Sequence, residues 1–156
     1  MKSVIKVSLM ATAIVCLILG IHSCGGSSDT NKATEVKAPA AAPEDDGQGV
    51  GRFKNVSLAD IDPKLADQGK ALFDAKCSAC HKPTDQKVVG PGLKGVTKAQ
   101  KPAWILNMIT NPLEMTQKDP TAKGLFEKHL VQMTFQDVND DQARLILEYL
   151  RQNDQN

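Results

Sequence analysis

The sequence predicts an all-α fold for its C-terminal two thirds, on three observations. Helix starts recur as a capping residue followed by proline, apolar residues return at helical spacing, and no stretch alternates as a strand would. Asp62-Pro63 supplies an N-cap and a proline at the first helical position. Leu65, Leu72 and Phe73 give that helix one apolar side, and it should end near Lys76. A glycine- and proline-rich loop follows, over residues 82–96. Pro102 opens a second helix carrying Trp104, Ile105, Met108 and Ile109, stopped by Asn111-Pro112. Asp119-Pro120 starts a short third helix through Leu125 and Phe126. Asn139 caps the last helix, with Gln142 three residues on as in a capping box. Leu145, Ile146, Leu147, Tyr149 and Leu150 give that helix a wide buried face.

Length and composition set bounds on the rest. A chain of 156 residues makes one compact domain with appendages. Its formal net charge of +1 gives no reason to expect a nucleic-acid partner. Aromatic residues are only 4% of the chain, so a bulky non-protein group would help to fill the core. The four cysteines form two unlike pairs: Cys16 and Cys24 beside the N-terminal apolar run, and Cys77 and Cys80 in a polar stretch. A disulfide framework would spread its cysteines along the domain instead.

The first residues read as an export signal. Lys2 and Lys6 precede a mostly apolar run over residues 7–21, too short for a comfortable membrane span. Ile21-His22-Ser23-Cys24 resembles the bacterial lipoprotein signal, although His22 stands where a small residue is usual. That resemblance implies a signal peptide over 1–23, cleavage before Cys24 and lipid on Cys24. Several acyl chains on one residue would anchor firmly, since each buried methylene contributes about 0.8 kcal/mol. An uncleaved anchor or an ordinary secretory signal is the alternative, and each of these readings puts the mature domain outside the cytoplasm. Residues 24–56 lack apolar periodicity and are rich in Gly, Ser, Ala, Pro and acidic residues, so they read as a flexible linker. Some thirty such residues reach roughly 30 Å on average. The folded domain is then expected over 57–156.

Cys77-Ser78-Ala79-Cys80-His81 carries the chemistry. Two cysteines separated by two residues can bond the two former vinyl groups of one porphyrin, and the histidine directly after them can ligate its iron. The motif therefore predicts one covalently attached haem c. A zinc site would need four ligands, and adjacent Cys80 and His81 could hardly share one tetrahedral ion. A thioredoxin-like dithiol would sit in a βαβ pattern, which is missing. A structural disulfide is the plainest rival.

Over residues 58–151 the sequence resembles the class I cytochromes c. Gly69-Lys70-Ala71-Leu72-Phe73 is similar to the family's first helix, and Leu147-Glu148-Tyr149-Leu150 to its last. The resemblance implies a close crossing of these helices, with Gly69 at the contact and Phe73 and Tyr149 packed beside it. Val89-Gly90-Pro91-Gly92-Leu93 resembles the loop after the haem histidine. It implies that the Pro91 carbonyl accepts a hydrogen bond from His81, that Leu93 packs on the haem face and that the Trp104 indole reaches a haem propionate. An ordinary core role is the plainer reading of Trp104.

Met108, Met115, His129 and Met133 compete for the sixth iron position. Met108 lies on the apolar side of its helix and reads as core. Met115 follows the Asn111-Pro112 break in an expected loop. Met133-Thr134-Phe135 resembles the family's ligand loop, with Thr134 in place of the usual proline, so Met133 is the expected ligand and Met115 and His129 are the alternatives. A His81/Met133 iron would have both axial positions filled, which favours electron transfer over chemistry at the metal. The expected function is that of a membrane-tethered single-electron carrier between respiratory redox proteins, monomeric, exported and facing the periplasm, without a catalytic residue. The alternative is a haem-based ligand sensor or a small peroxidase-type subunit with a labile sixth ligand. Lys76, Lys82, Lys87, Lys94, Lys98 and Lys101, against the single acid Asp85, could form a positive rim that steers an acidic partner.

Overall fold

The computed structural model describes residues 45–156. The expected signal peptide, Cys24 and most of the expected linker lie outside the described residues. Six helices appear among those described: α1 (Pro63–Lys76), α2 (Val96–Ala99), α3 (Pro102–Thr110), α4 (Pro112–Lys118), α5 (Pro120–His129) and α6 (Asp140–Asn153). None is long and apolar enough to cross a membrane. Among the described residues the only pairing of extended backbone is one antiparallel bridge between His81 and Lys87. The fold is all-α.

The capping chemistry acts where the residues predict it. The Asp62 carboxylate accepts from the Lys64 N–H at 2.8 Å, and Asp119 accepts from the Ala122 N–H at 2.7 Å. Asn139 and Gln142 form a reciprocal capping box at the start of α6. Two helices were not foreseen. Val96–Ala99 forms a short turn at the end of the expected loop, before Pro102. Pro112 does not merely stop α3 but also occupies the first position of α4, where its missing N–H costs nothing.

The frame is the crossing of α1 and α6. A side-chain carbon on Gly69 would overlap the Leu145 carbonyl, so only glycine allows the two backbones to approach this closely. Phe73 and Tyr149 pack beside that point, with ring centroids 5.3 Å apart and planes tilted by 53°. The Glu148 carboxylate accepts from the Asp62 N–H at 2.8 Å and pairs with Arg151 at 2.6 Å. Arg151 also donates to the Ala59 carbonyl, so the entry to α1 is tied to α6.

Residues 48–56, expected as linker, are instead built into the domain. Phe53 is only 6% exposed and belongs to the core, with Val50 and Val56 packed against it. Asn107, fully buried on α3, holds this strap by three bonds. Its Oδ1 accepts from the Phe53 N–H at 3.0 Å, and its Nδ2 donates to the carbonyls of Gln48 (2.9 Å) and Phe53 (3.0 Å). An extended strap buries isolated residues in holes made by other elements, so it has no periodicity of its own to reveal it. The folded unit therefore includes residues 48–56 as well as the expected 57–156.

Candidate functional site

The last turn of α1 runs directly into the cysteine pair. Cys77 caps the helix through its N–H to the Phe73 carbonyl, and the N–H groups of Cys80 and His81 both reach the Cys77 carbonyl, at 3.0 and 2.9 Å. This continued turn sets the two thiols on neighbouring positions with His81 just beyond. Burial pushes the Cys77 thiol up to about 11, whereas Cys80 is exposed. The two are not joined in a disulfide.

The glycine-proline loop then folds back over the motif. Gly90 N–H donates to the Cys80 carbonyl and Leu93 N–H to the Lys82 carbonyl, each at 2.9 Å. The Pro91 carbonyl lies 2.8 Å from His81 Nδ1. A carbonyl can only accept, so Nδ1 carries the proton and Nε2 keeps the lone pair that a metal needs. Gly90 makes room for this ring, because an added side-chain carbon there would overlap His81 Cε1.

Cys77, Cys80 and His81 border a cavity of about 360 Å³, within the range of roughly 300–1,000 Å³ usual for cofactor pockets. Phe73, Leu93, Ile105, Ile146 and Leu150 give it apolar walls. Met133 lines it from the 130–139 loop, as do His129 at the end of α5 and Met108 on α3. Met108 thus stands on the cavity wall and not wholly in the core. Met115 is not among the lining residues. It lies on α4, 0% exposed, and its sulfur accepts from the Val50 N–H at 3.0 Å, so this alternative ligand is removed. The break at Pro112 does not create a loop there; it begins the helix that carries Met115 away into the strap.

Trp104 also lines the cavity, but its indole N–H donates to Asp119 Oδ1 at 2.9 Å inside the protein. The expected propionate partner is replaced by the carboxylate that caps α5. A buried indole N–H takes the nearest fixed acceptor, and Asp119 is 2% exposed and already held by its capping bond.

Two residues that sequence reasoning passed over position the Met133 loop. Gln132 Nε2 donates to the Met133 carbonyl at 2.9 Å, while its Oε1 lies 2.9 Å from the Thr116 hydroxyl on α4. Lys76 adds bonds to the carbonyls of Gln136 (3.1 Å) and Asp137 (3.2 Å). Adjacency to Met133 could have flagged Gln132, but nothing local points to Thr116. The six lysines do not form one rim. Lys76 and Lys94 border the cavity, whereas Lys98 lines a separate cleft of about 220 Å³ and Lys101 turns to the Asp46 carbonyl.

Among the described residues no three His, Cys, Asp or Glu side chains converge as a metal cluster would require. The donors present are two neighbouring thiols, one imidazole with Nδ1 committed, and two thioethers and a second imidazole on the same apolar cavity. That set fits haem c. A thiolate-rich metal site would need more sulfur ligands than Cys77 and Cys80 supply.

Comparison with known proteins agrees. Residues 66–154, more than half of the chain, match the family model described as Cytochrome c. Cytochrome c-550 2 of Gloeobacter violaceus is 35% identical over 71 residues, covering 44% of this chain and 40% of that protein's length. A solved cytochrome c from Rhodothermus marinus is 42% identical with a TM-score of 0.67, covering 73% of this chain and 98% of that one. An engineered form of the Rhodothermus marinus protein, 41% identical with a TM-score of 0.65, was solved bound to a carbene intermediate and covers 74% of this chain and 100% of that one. The chain belongs to the cytochrome c family, and its cofactor is one covalently attached haem c.

Proposed function

We propose that this protein is a single-electron carrier, tethered to a membrane through Cys24, whose haem is held by Cys77 and Cys80 and ligated by His81 and Met133. When bound, the haem supplies a one-electron ferric–ferrous couple. The observation that carries the reading is the His81 imidazole, fixed by Pro91 on the wall of an apolar cavity that Met133 also lines. Each residue then has a defined task. The thiols of Cys77 and Cys80 would form thioethers to the porphyrin. The Pro91 carbonyl holds the His81 tautomer and ring plane and raises its basicity. The Gln132 amide and Lys76 hold the loop that carries Met133. Leu93, Ile105 and Ile146 keep water from the cavity, which favours a small reorganisation on electron transfer and a raised potential.

Redox partners are proposed to be proteins of the same membrane. Exposed Val89, Phe126 and Val131 at the cavity edge, with Lys76 and Lys94, offer a small apolar contact bordered by positive charge. The reading is tested on purified full-length holoprotein. A pyridine haemochrome spectrum should report haem c with two thioethers. The weak near-red band of a methionine–ferric bond should be present in the wild type and absent from Met133→Ala. Rapid, complete carbon monoxide binding by the reduced wild type would instead indicate an open sixth position and a sensor or catalytic role.

A further inference from the structure

His129 lines the cavity, and neither the fold nor the proposed function described above employs it. It is the last residue of α5, directly before Leu130, which takes a left-handed backbone conformation (φ 56°) and is 80% exposed. A leucine rarely adopts that conformation. The turn redirects the chain just after His129 while His129 itself stays on the cavity wall. His129 Nδ1 is shut off from solvent and has no hydrogen-bond partner among the described residues. A buried polar atom left unpaired is costly, and such atoms in native proteins call for a missing ligand or ion. The neighbours that act on the ring electrostatically are Lys87, Lys128 and His81, all cationic or neutral. Burial first, and these charges after it, lower its pKa, so the ring is the neutral, lone-pair-bearing form that binds metals. It shares one cavity with both His81 and Met133.

We propose that His129 is a standby iron ligand, able to replace Met133 opposite His81 when the Met133 loop moves. In the exchange the thioether sulfur–iron bond breaks and an imidazole nitrogen–iron bond forms. Each electron pair stays with its ligand, so no oxidant or reductant is consumed, and the neutral ring has no proton to shed. The loop is built for such movement. Its residues make few bonds to the helices beyond the Gln132 and Lys76 contacts, and Thr134, Phe135, Gln136 and Asp137 are all exposed. Exchange of methionine for histidine lowers the reduction potential, so the carrier would have a second, more reducing state.

The proposal rests on Met133 being the resident ligand, and the experiment separates the two claims. Ferric holoproteins are compared by low-temperature electron paramagnetic resonance and near-infrared magnetic circular dichroism. Wild type and His129→Ala should both show the methionine signature. Met133→Ala should remain low-spin with a bis-imidazole signature, and Met133→Ala with His129→Ala should turn high-spin. A high-spin Met133→Ala protein, or a double variant that stays low-spin, overturns the standby role. A wild type that already shows the bis-imidazole signature, lost in His129→Ala, overturns the assignment of Met133 and with it the proposal. If Met133→Ala does not retain haem, mild urea that loosens the loop serves in its place. Wild type should then pass through a bis-imidazole state that His129→Ala lacks, and identical spectra from the two would overturn the proposal.

Discussion

Trp104 and Asp119 show how one buried contact can reassign a residue. The indole N–H and the Ala122 N–H converge on the same Asp119 oxygen, at 2.9 and 2.7 Å, so the carboxylate serves the core and the start of α5 together. Trp104→Phe keeps most of the apolar volume but removes one donor from a buried charge. It should cost about 1–3 kcal/mol in urea unfolding, with little change in reduction potential. Unchanged stability with a shifted potential would return the indole to a propionate. His81 illustrates the opposite case, a residue whose role was legible at once. The motif names it, and the Pro91 bond leaves only one nitrogen available for iron.

Among the elements, the 48–56 strap and the short helix α2 depend on single polar residues elsewhere in the chain. Asn107 meets three backbone groups of the strap that would otherwise be buried unpaired. Asn107→Ala should destabilise the protein by about 2–4 kcal/mol by that reasoning. It should also make the strap the first segment to lose protection in amide hydrogen exchange. Asp154, at the end of α6, accepts from Gly95 N–H (2.6 Å), Thr97 N–H (2.9 Å) and the Thr97 hydroxyl (2.7 Å). Burial pushes its carboxyl up, but the bonds from Thr97 and Gly95 more than offset this, and its pKa is lowered below the ordinary 3.8. A lowered folded pKa contributes stability that is fully present above that ordinary value and is lost as pH falls through the folded one. Asp154→Asn should therefore be less stable than wild type by about 1–3 kcal/mol at pH 7. The gap should hold down to pH 4 and close below it, which paired unfolding curves would show.

On the scale of the whole molecule, the proposed membrane anchor and the folded unit can be tested separately. The closed core from residue 48 onward holds the redox chemistry, whereas the proposed anchor lies outside the described residues. Cys24→Ser should therefore move the protein from the membrane to the soluble fraction. Its haem content, spectrum and potential should match those of the wild type. Retention in the membrane fraction would assign anchoring to the apolar run over residues 7–21 or to a partner. The lysines read as one positive rim are parted by the fold: Lys76 and Lys94 border the cavity, whereas Lys98, on α2, lines a separate cleft.

The haem motif, the helix starts at Asp62-Pro63, Pro102, Asp119-Pro120 and Asn139, and the crossing marked by Gly69, Phe73 and Tyr149 were legible in the sequence. Caps, prolines and covalent attachment are local chemistry, written in residues a few positions apart. The tertiary structure decided the rest: that Met115 serves the strap, that Trp104 serves Asp119, that residues 48–56 are core, and that His129 shares a cavity with His81 and Met133. Each of these depends on partners between 15 and 65 residues away or on residues that meet only around one cavity. Side-chain type and spacing carry no record of such distant pairings, which arise only when the helices pack.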